Sequence, residues 1–152
     1  IASYQLVAPI SLQQELVNSI IAHWQRGHGA AYNPRRGIAF ADTRVAGDLD
    51  EAIAWITQQE GARPLLVSTS AREVPGVPGC SCADLRAMEQ PVALMFGTGW
   101  GMTRELLERS DYLLPPITGP VEYNHLSVRS AVSIMLDRLY GTRATPNPAR
   151  EE

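Results

Sequence analysis

Hydrophobic positions in this chain alternate between two spacings, and the spacings divide it into elements. Tyr4 to Ala8 is a short β-rich run closed by Pro9. Ser11 stands where a capping residue would, ahead of Leu12, Leu16, Ile20 and Trp24, which recur every fourth position with Val17 and Ile21 beside them. That single apolar stripe predicts an amphipathic helix, ended by Gly27 and Gly29. Residues 30–37, AAYNPRRG, read as a loop, and Thr43 to Ala46 as a brief strand. Asp48 caps a second predicted helix running through Gln59 and stopped by Gly61.

The second half repeats the alternation with more strongly apolar strands. Residues 64–69 (PLLVST) and 91–96 (PVALMF) are uninterrupted apolar runs, the pattern of strands covered on both faces. Between them, a Pro/Gly-rich loop from Ala71 to Gly79 precedes a short helix capped by Ser81 and running to Met88. GTGWGM then leads into a helix from Thr103 to Arg109, and Tyr112 to Leu114 is a strand ended by Pro115 and Pro116. The last predicted helix spans Leu126 to Tyr140, with small residues at Ser130, Ala131 and Ser133 and apolar ones nearly all round. A helix of that composition is expected to be buried on most sides. Residues 1–140 read as one domain and 141–152, polar and proline-broken, as a flexible tail.

Strand-helix alternation of this kind predicts an α/β fold with a mostly parallel sheet flanked by helices on both faces. Ligands in such sheets bind beyond the carboxyl ends of the strands. Three loops leave predicted strand ends: Ser68 to Arg72, Gly97 to Met102, and Pro115 to Asn124. Each is richer in Gly, Ser, Thr or Pro than a connector requires, so together they form the candidate pocket.

Composition narrows the chemistry. With 152 residues, 45% hydrophobic and 19% charged, the chain has the balance of a globular domain with a core. A net charge of −3 argues against coating nucleic acid by bulk attraction. All thirteen basic residues are arginines, which excludes Schiff-base lysine chemistry, pyridoxal enzymes and a Walker-type phosphate lysine. Cys80 and Cys82 are too close in sequence for disulfide geometry, and His23, His28 and His125 form no ligand-spaced set with them, so no metal site is expected. Reduced cysteines point to the cytoplasm. No apolar run approaches the roughly 20 residues of a membrane span. The opening IASYQLVAP reads as a strand entered abruptly rather than a secretory leader.

Three motifs carry candidate chemistry. Gly97-Thr98-Gly99-Trp100-Gly101 follows a strand and precedes a helix, but Met102 occupies the third glycine position of a dinucleotide fingerprint, and no acidic residue follows at the ribose-binding distance. Three glycines around a tryptophan instead suggest backbone brought close to a flat ligand. In PVEYNHLSVRSA, residues 120–131, polar groups crowd the entrance of an apolar helix that needs only one cap, for which Asn124 is well suited. Glu122, His125 and Ser127 lie too close together for a hydrolase triad, and no nucleophile elbow is present. Third, Arg26, His28, Tyr32, Asn33, Arg35 and Arg36 form a basic stretch interleaved with an aromatic ring, suited either to phosphate and base or simply to solvent.

The combination of LMFGTGWGMTRELLERSDYLLPPI with YNHLSVRSAVSIMLDRL resembles the SPOUT, or α/β-knot, methyltransferases, and within them the bacterial S-adenosylmethionine-dependent RNA methyltransferases. The resemblance extends from Tyr4 to Tyr140 and takes in HWQRGHGAAYNPRRG and STSAR. It implies a deep trefoil knot in the C-terminal half, a homodimer formed through that region, and S-adenosylmethionine as cofactor with S-adenosylhomocysteine as product. Such proteins usually carry a further strand and helix ahead of the YQLVAP segment, which this sequence lacks.

Carried onto this sequence, the implied cofactor loops contain Thr69 and Ser70, then Phe96, Gly97, Thr98, Gly99, Trp100 and Gly101, then Ile117, Gly119, Tyr123, Asn124, Leu126 and Ser127. Backbone amides there would take adenine and ribose. His125, Glu122 and Arg72 are the candidate base or orienting groups, and Arg129 a candidate partner for a carboxylate. The implied substrate is RNA, tRNA or rRNA; the arginine-tyrosine stretch, read from its own residues, is the candidate contact for it, with a solvated surface as the competing reading. The competing reading is a knotted RNA- or nucleotide-binding domain that methylates nothing.

Overall fold

A computed structural model describes residues 2–72, 74–120 and 125–142. The chain divides into two compact units, Ile1–Arg63 and Pro64–Glu152. Every strand pair in the described residues is parallel, so the α/β expectation holds as parallel sheets flanked by helices.

The first unit contains β1 (Tyr4–Val7), α1 (Ser11–Gln25), α2 (His28–Tyr32), α3 (Pro34–Ala41), β2 (Thr43–Ala46) and α4 (Leu49–Glu60). β1 pairs with β2 from Tyr4↔Thr43 to Val7↔Ala46. A parallel pair needs a crossover, and α1 to α3 supply it. α4 begins as predicted: Asp48 accepts the Glu51 N–H at 2.8 Å, and the Glu51 carboxylate accepts the Gly47 N–H at 2.6 Å. Two otherwise orphaned amides are thereby satisfied.

Two expectations for this unit are corrected. Ser11 does not cap α1; it is the first helical residue, and Ile10 occupies the cap position in extended conformation without a side-chain bond. Residues 30–37 are not a loop. Asn33 is non-helical and breaks the segment into α2 and α3, and Pro34 begins α3 in the first turn, where an N–H has no intrahelical partner to lose. The α1 stripe is helical as predicted but only partly covered. Val17, Ile21 and Trp24 are half-buried on the side that packs on α3 and β2, whereas Leu12, Leu16 and Ile20 are exposed.

The second unit contains β3 (Leu65–Thr69), α5 (Cys82–Ala87), β4 (Val92–Met95), α6 (Arg104–Glu108), β5 (Tyr112–Leu114) and α7 (Val128–Tyr140). Its sheet has the order β4-β3-β5. The chain leaves β3 for one neighbour and then crosses to the other, so the strand order reverses about β3. Leu66, Val67 and Ser68 of that central strand are fully buried. Ser68 is the costly one, and its hydroxyl is satisfied by that of Ser110. Asp111 fixes the β5 end by accepting the Leu66 N–H at 2.7 Å and donating its own N–H to the Leu66 carbonyl at 2.8 Å.

The core joins Val67 and Leu114 of the sheet to Cys80, Leu85 of α5, and Met135 and Leu139 of α7. α5 opens with a reciprocal capping box between Ser81 and Asp84. Two expectations fail here on burial. β4 is an edge strand, with Val92 exposed and Ala93 to Met95 half-buried, so it is not covered on both faces. α7 buries only Met135 and Leu139, because a single stripe at a spacing of four meets α5 and the sheet; Val132, Ile134 and Leu136 are half-buried.

Candidate active site

The loops leaving the carboxyl ends of β3, β4 and β5 converge with the entrance of α7 on one cleft of ≈ 940 Å³. That is at the upper end of the roughly 300–1,000 Å³ of small-molecule sites. It lies where α/β sheets bind ligands, beyond the strand ends at a reversal of strand order.

Local chemistry explains how each wall is held. At the β3 end the Thr69 hydroxyl donates to the Met95 carbonyl at 2.9 Å, tying together the strand ends from which two of the loops spring. The Arg72 N–H donates to the Ser70 hydroxyl at 3.0 Å and turns the chain along the rim. After β4 the Gly101 N–H donates to the Thr98 carbonyl, closing a tight turn around Gly99 and Trp100. A Cβ on Gly97 would come within 2.6 Å of Met102 N and closer still to the Gly101 carbonyl carbon, so the loop folds back onto its own first residue. Gly101 sits at φ +85°, where side chains are strained. Gly99 has neither constraint: a Cβ there would meet nothing within 4 Å. Two glycines therefore build the turn, and the third leaves backbone open. The Trp100 ring beside it is fully exposed.

On the facing wall, Ser127 caps α7 by accepting the Ser130 N–H at 3.2 Å. The expected cap, Asn124, lies outside the described residues, and the cap position of α7 belongs to Ser127. Below Ser127, Ala131 and Met135 follow at intervals of four and present one face of α7 to the cleft. At the outer rim α6 contributes Arg104, paired with Glu108 at 2.7 Å, and Leu107.

Most of the residues singled out from the sequence meet here. Thr69, Ser70, Phe96, Gly97, Thr98, Gly99, Trp100, Gly101, Ile117, Leu126 and Ser127 all line the cleft, as do Arg72 and His125. Gly119 is not among the lining residues. Glu122, Tyr123 and Asn124 lie outside the described residues. Sequence reasoning missed Val74, Pro75, Arg104, Leu107, Glu108, Val128, Ala131 and Met135. Ala131 carried a usable signal, being a small residue one turn beyond the helix cap.

The arginine-tyrosine stretch lies in the first unit, at the end of α1 and on α2 and α3. Arg26, His28, Tyr32, Asn33, Arg35 and Arg36 are all exposed. The Arg36 guanidinium lies over the Trp24 ring, 4.4 Å from its centroid.

The cleft offers backbone and small side chains, the His125 imidazole and the Arg72 and Arg104 guanidiniums on its walls, and no cluster of metal-ligating groups among the described residues. Among those residues no helix is long and apolar enough to cross a membrane.

A tRNA (guanine-N(1)-)-methyltransferase of Oleidesulfovibrio alaskensis is 40% identical over 141 residues, 93% of this chain and 33% of that protein. The chain thus spans about a third of the length of the curated relatives of that kind, including one from Nitratidesulfovibrio vulgaris. An uncharacterized protein of Aquifex aeolicus is 39% identical over 92% of this chain and 69% of its own length. Among solved structures, a probable methylase family protein from Haemophilus influenzae Rd KW20 superposes with a TM-score of 0.54 at 21% identity, over 74% of this chain and 47% of that one, a likeness of fold. The family model for SAM-dependent RNA methyltransferases matches residues 1–141, and this chain belongs to that family.

Proposed function

We propose that the strand-end cleft binds S-adenosylmethionine and that the protein transfers its methyl group to RNA. The observation that supports this best is the convergence of three strand-end loops with the α7 entrance on one cleft, with Gly99 open toward it. Backbone around Thr98 to Trp100 and near Leu126 would receive the adenosyl group, with Thr69 and Ser70 at the opposite wall. When bound, the cofactor supplies an activated methyl on a sulfonium, which passes in line to a nucleophilic acceptor and leaves S-adenosylhomocysteine. The chain then has little covalent chemistry to perform. Its residues align the acceptor, exclude water and take up a proton. His125, on the cleft wall, is the base we assign; Arg72 orients the acceptor's phosphate or the cofactor's carboxylate.

The relatives named for tRNA guanine-N1 methylation are about three times as long, so from them we infer the acceptor class and take tRNA as the first substrate to assay. We further propose the α/β-knot topology and a homodimer through α7, whose half-buried Val132, Ile134 and Leu136 remain available to a second copy. Cytoplasmic residence follows from the same reading.

Calorimetry with S-adenosylmethionine and S-adenosylhomocysteine tests the cleft, and labelled methyl transfer to total tRNA tests catalysis. Micromolar cofactor binding with incorporation into RNA is expected, and sedimentation should report a dimer. No binding at millimolar cofactor overturns the proposal, whereas binding without incorporation reduces the protein to a cofactor- and RNA-binding module.

A further inference from the structure

Three of the thirteen arginines and none of the sixteen acidic residues lie between Leu16 and Ala41. In a chain of net charge −3 this is a local reversal of sign. The structure turns it into a surface. Gly29 and Gly37 allow α2 and α3 to press onto the last turn of α1: a Cβ on Gly29 would lie 2.7 Å from His23 Nε2 and from the Trp24 ring, and one on Gly37 2.8 Å from the Trp24 carbonyl oxygen. Trp24 is the hub of this cluster. His23 meets it edge-on with centroids 5.0 Å apart, and the Arg36 guanidinium covers it.

The chemistry displayed has two parts. Arg26, Arg35 and Arg36 form no ion pair with any carboxylate among the described residues. Held against the indole, Arg36 loses less freedom on meeting a ligand than a free side chain would. Between these cations, Tyr32 is 81% exposed at the end of α2. A phenol ring left in water on the same three-helix cluster as guanidinium groups that have no carboxylate partner among the described residues does nothing for the core. Planar donors with an open ring match a phosphate backbone whose bases are unstacked.

We infer that the α1–α3 cluster is an RNA-gripping surface, in which Arg26, Arg35 and Arg36 hold phosphates and Tyr32 stacks on an unpaired base. The inference rests on the reading of the protein as an RNA methyltransferase and adds where the substrate is held. Single-stranded loops and ends fit this surface better than duplex, because a ring needs an exposed base face.

The test is fluorescence anisotropy of a labelled tRNA against salt concentration, with cofactor calorimetry on every variant. Because Arg36 packs on Trp24, the first variant pairs Arg26→Ala with Arg35→Ala, which removes no side-chain partner in the described residues. Losing two phosphate contacts should flatten the slope of log K against log salt by about 1.4 for single strands and weaken binding roughly ten-fold at low salt. Tyr32→Ala should weaken binding about ten-fold with the slope unchanged, and Tyr32→Phe should restore it, because stacking needs the ring and not the hydroxyl. Cofactor affinity should remain at the wild-type value throughout. An unaltered slope in the double variant, or a Tyr32→Ala protein that binds as the wild type does, overturns the inference and leaves the cofactor reading standing. Wild-type protein that binds neither RNA nor cofactor removes the parent proposal instead.

Discussion

The glycines of the Gly97–Gly101 turn provide the most direct test of how the cleft is built, because the structure gives each a different reason to be glycine. At Gly97 an added Cβ would sit 2.6 Å from Met102 N, about 0.8 Å inside the 3.4 Å where ordinary contact begins, and nearer still to the Gly101 carbonyl carbon. Those are backbone atoms that cannot rotate away, so the loop must open. Overpacking of this kind costs about 1–3 kcal/mol. At Gly101 the obstacle is φ +85°, and forcing a side chain into that region costs roughly 1–2 kcal/mol. At Gly99 nothing lies within 4 Å and φ is unremarkable, so the fold should accept alanine or valine at no measurable cost. For a chain of this size 1 kcal/mol corresponds to about 2–4 °C in Tm. Gly97→Ala and Gly101→Ala should therefore melt some degrees below wild type, whereas Gly99→Val should melt with it. Cofactor calorimetry should show the opposite selectivity for Gly99→Val: an intact fold whose branched side chain now occupies the ligand's side of the turn, with affinity lost. A Gly99→Val protein that binds S-adenosylmethionine normally, or a Gly97→Ala protein as stable as wild type, would refute the reasoning.

Three further outcomes are expected. Asp48→Ala removes the cap of α4 and should cost about 1 kcal/mol, read as a lower urea midpoint at unchanged m-value. Asp84 is held below its ordinary pKa by hydrogen bonds from the Ser81 hydroxyl and then from the Ser81 backbone. Its contribution is therefore complete above the ordinary carboxylate pKa and is lost as pH falls through the depressed value; Asp84→Asn should flatten the acid limb of the stability profile, and an unchanged limb would exclude this carboxylate. Burial, then the nearby Asp84 and Cys82, push the Cys80 thiol upward, so at neutral pH an alkylating reagent should modify Cys82 first and Cys80 only on unfolding; equal rates would contradict that burial.

Local signals were read well wherever a single residue settles the matter. Asp48 and Ser81 cap the helices they precede as expected, because a short polar side chain satisfies the amide three residues on; Thr103, read as the start of its helix, is the cap of α6, whereas Ser11, read as a cap, is the first residue of α1. Thr43–Ala46 and Tyr112–Leu114 are strands with the predicted bounds. Pro34 was misread because proline breaks a helix only from the third or fourth position onward; at the first it is welcome. Burial was the recurring error. The apolar runs at 91–96 and in α7 announced hydrophobicity, yet which face is covered depends on strand order and on neighbouring helices.

The sequence by itself determined the alternation of strands and helices, the caps at Asp48 and Ser81, the glycine turn and the polar entrance to α7, since each follows from short-range sterics and hydrogen bonding. Only tertiary structure decided that β3 lies between β4 and β5, and with that order that three loops distant in sequence open onto one cleft. It alone separated the turn's glycines into two that close the loop and one that leaves backbone exposed, and it pressed α2 and α3 onto Trp24 through Gly29 and Gly37. These are contacts between segments far apart along the chain, and no local propensity encodes which distant atom will fill the space beside a residue.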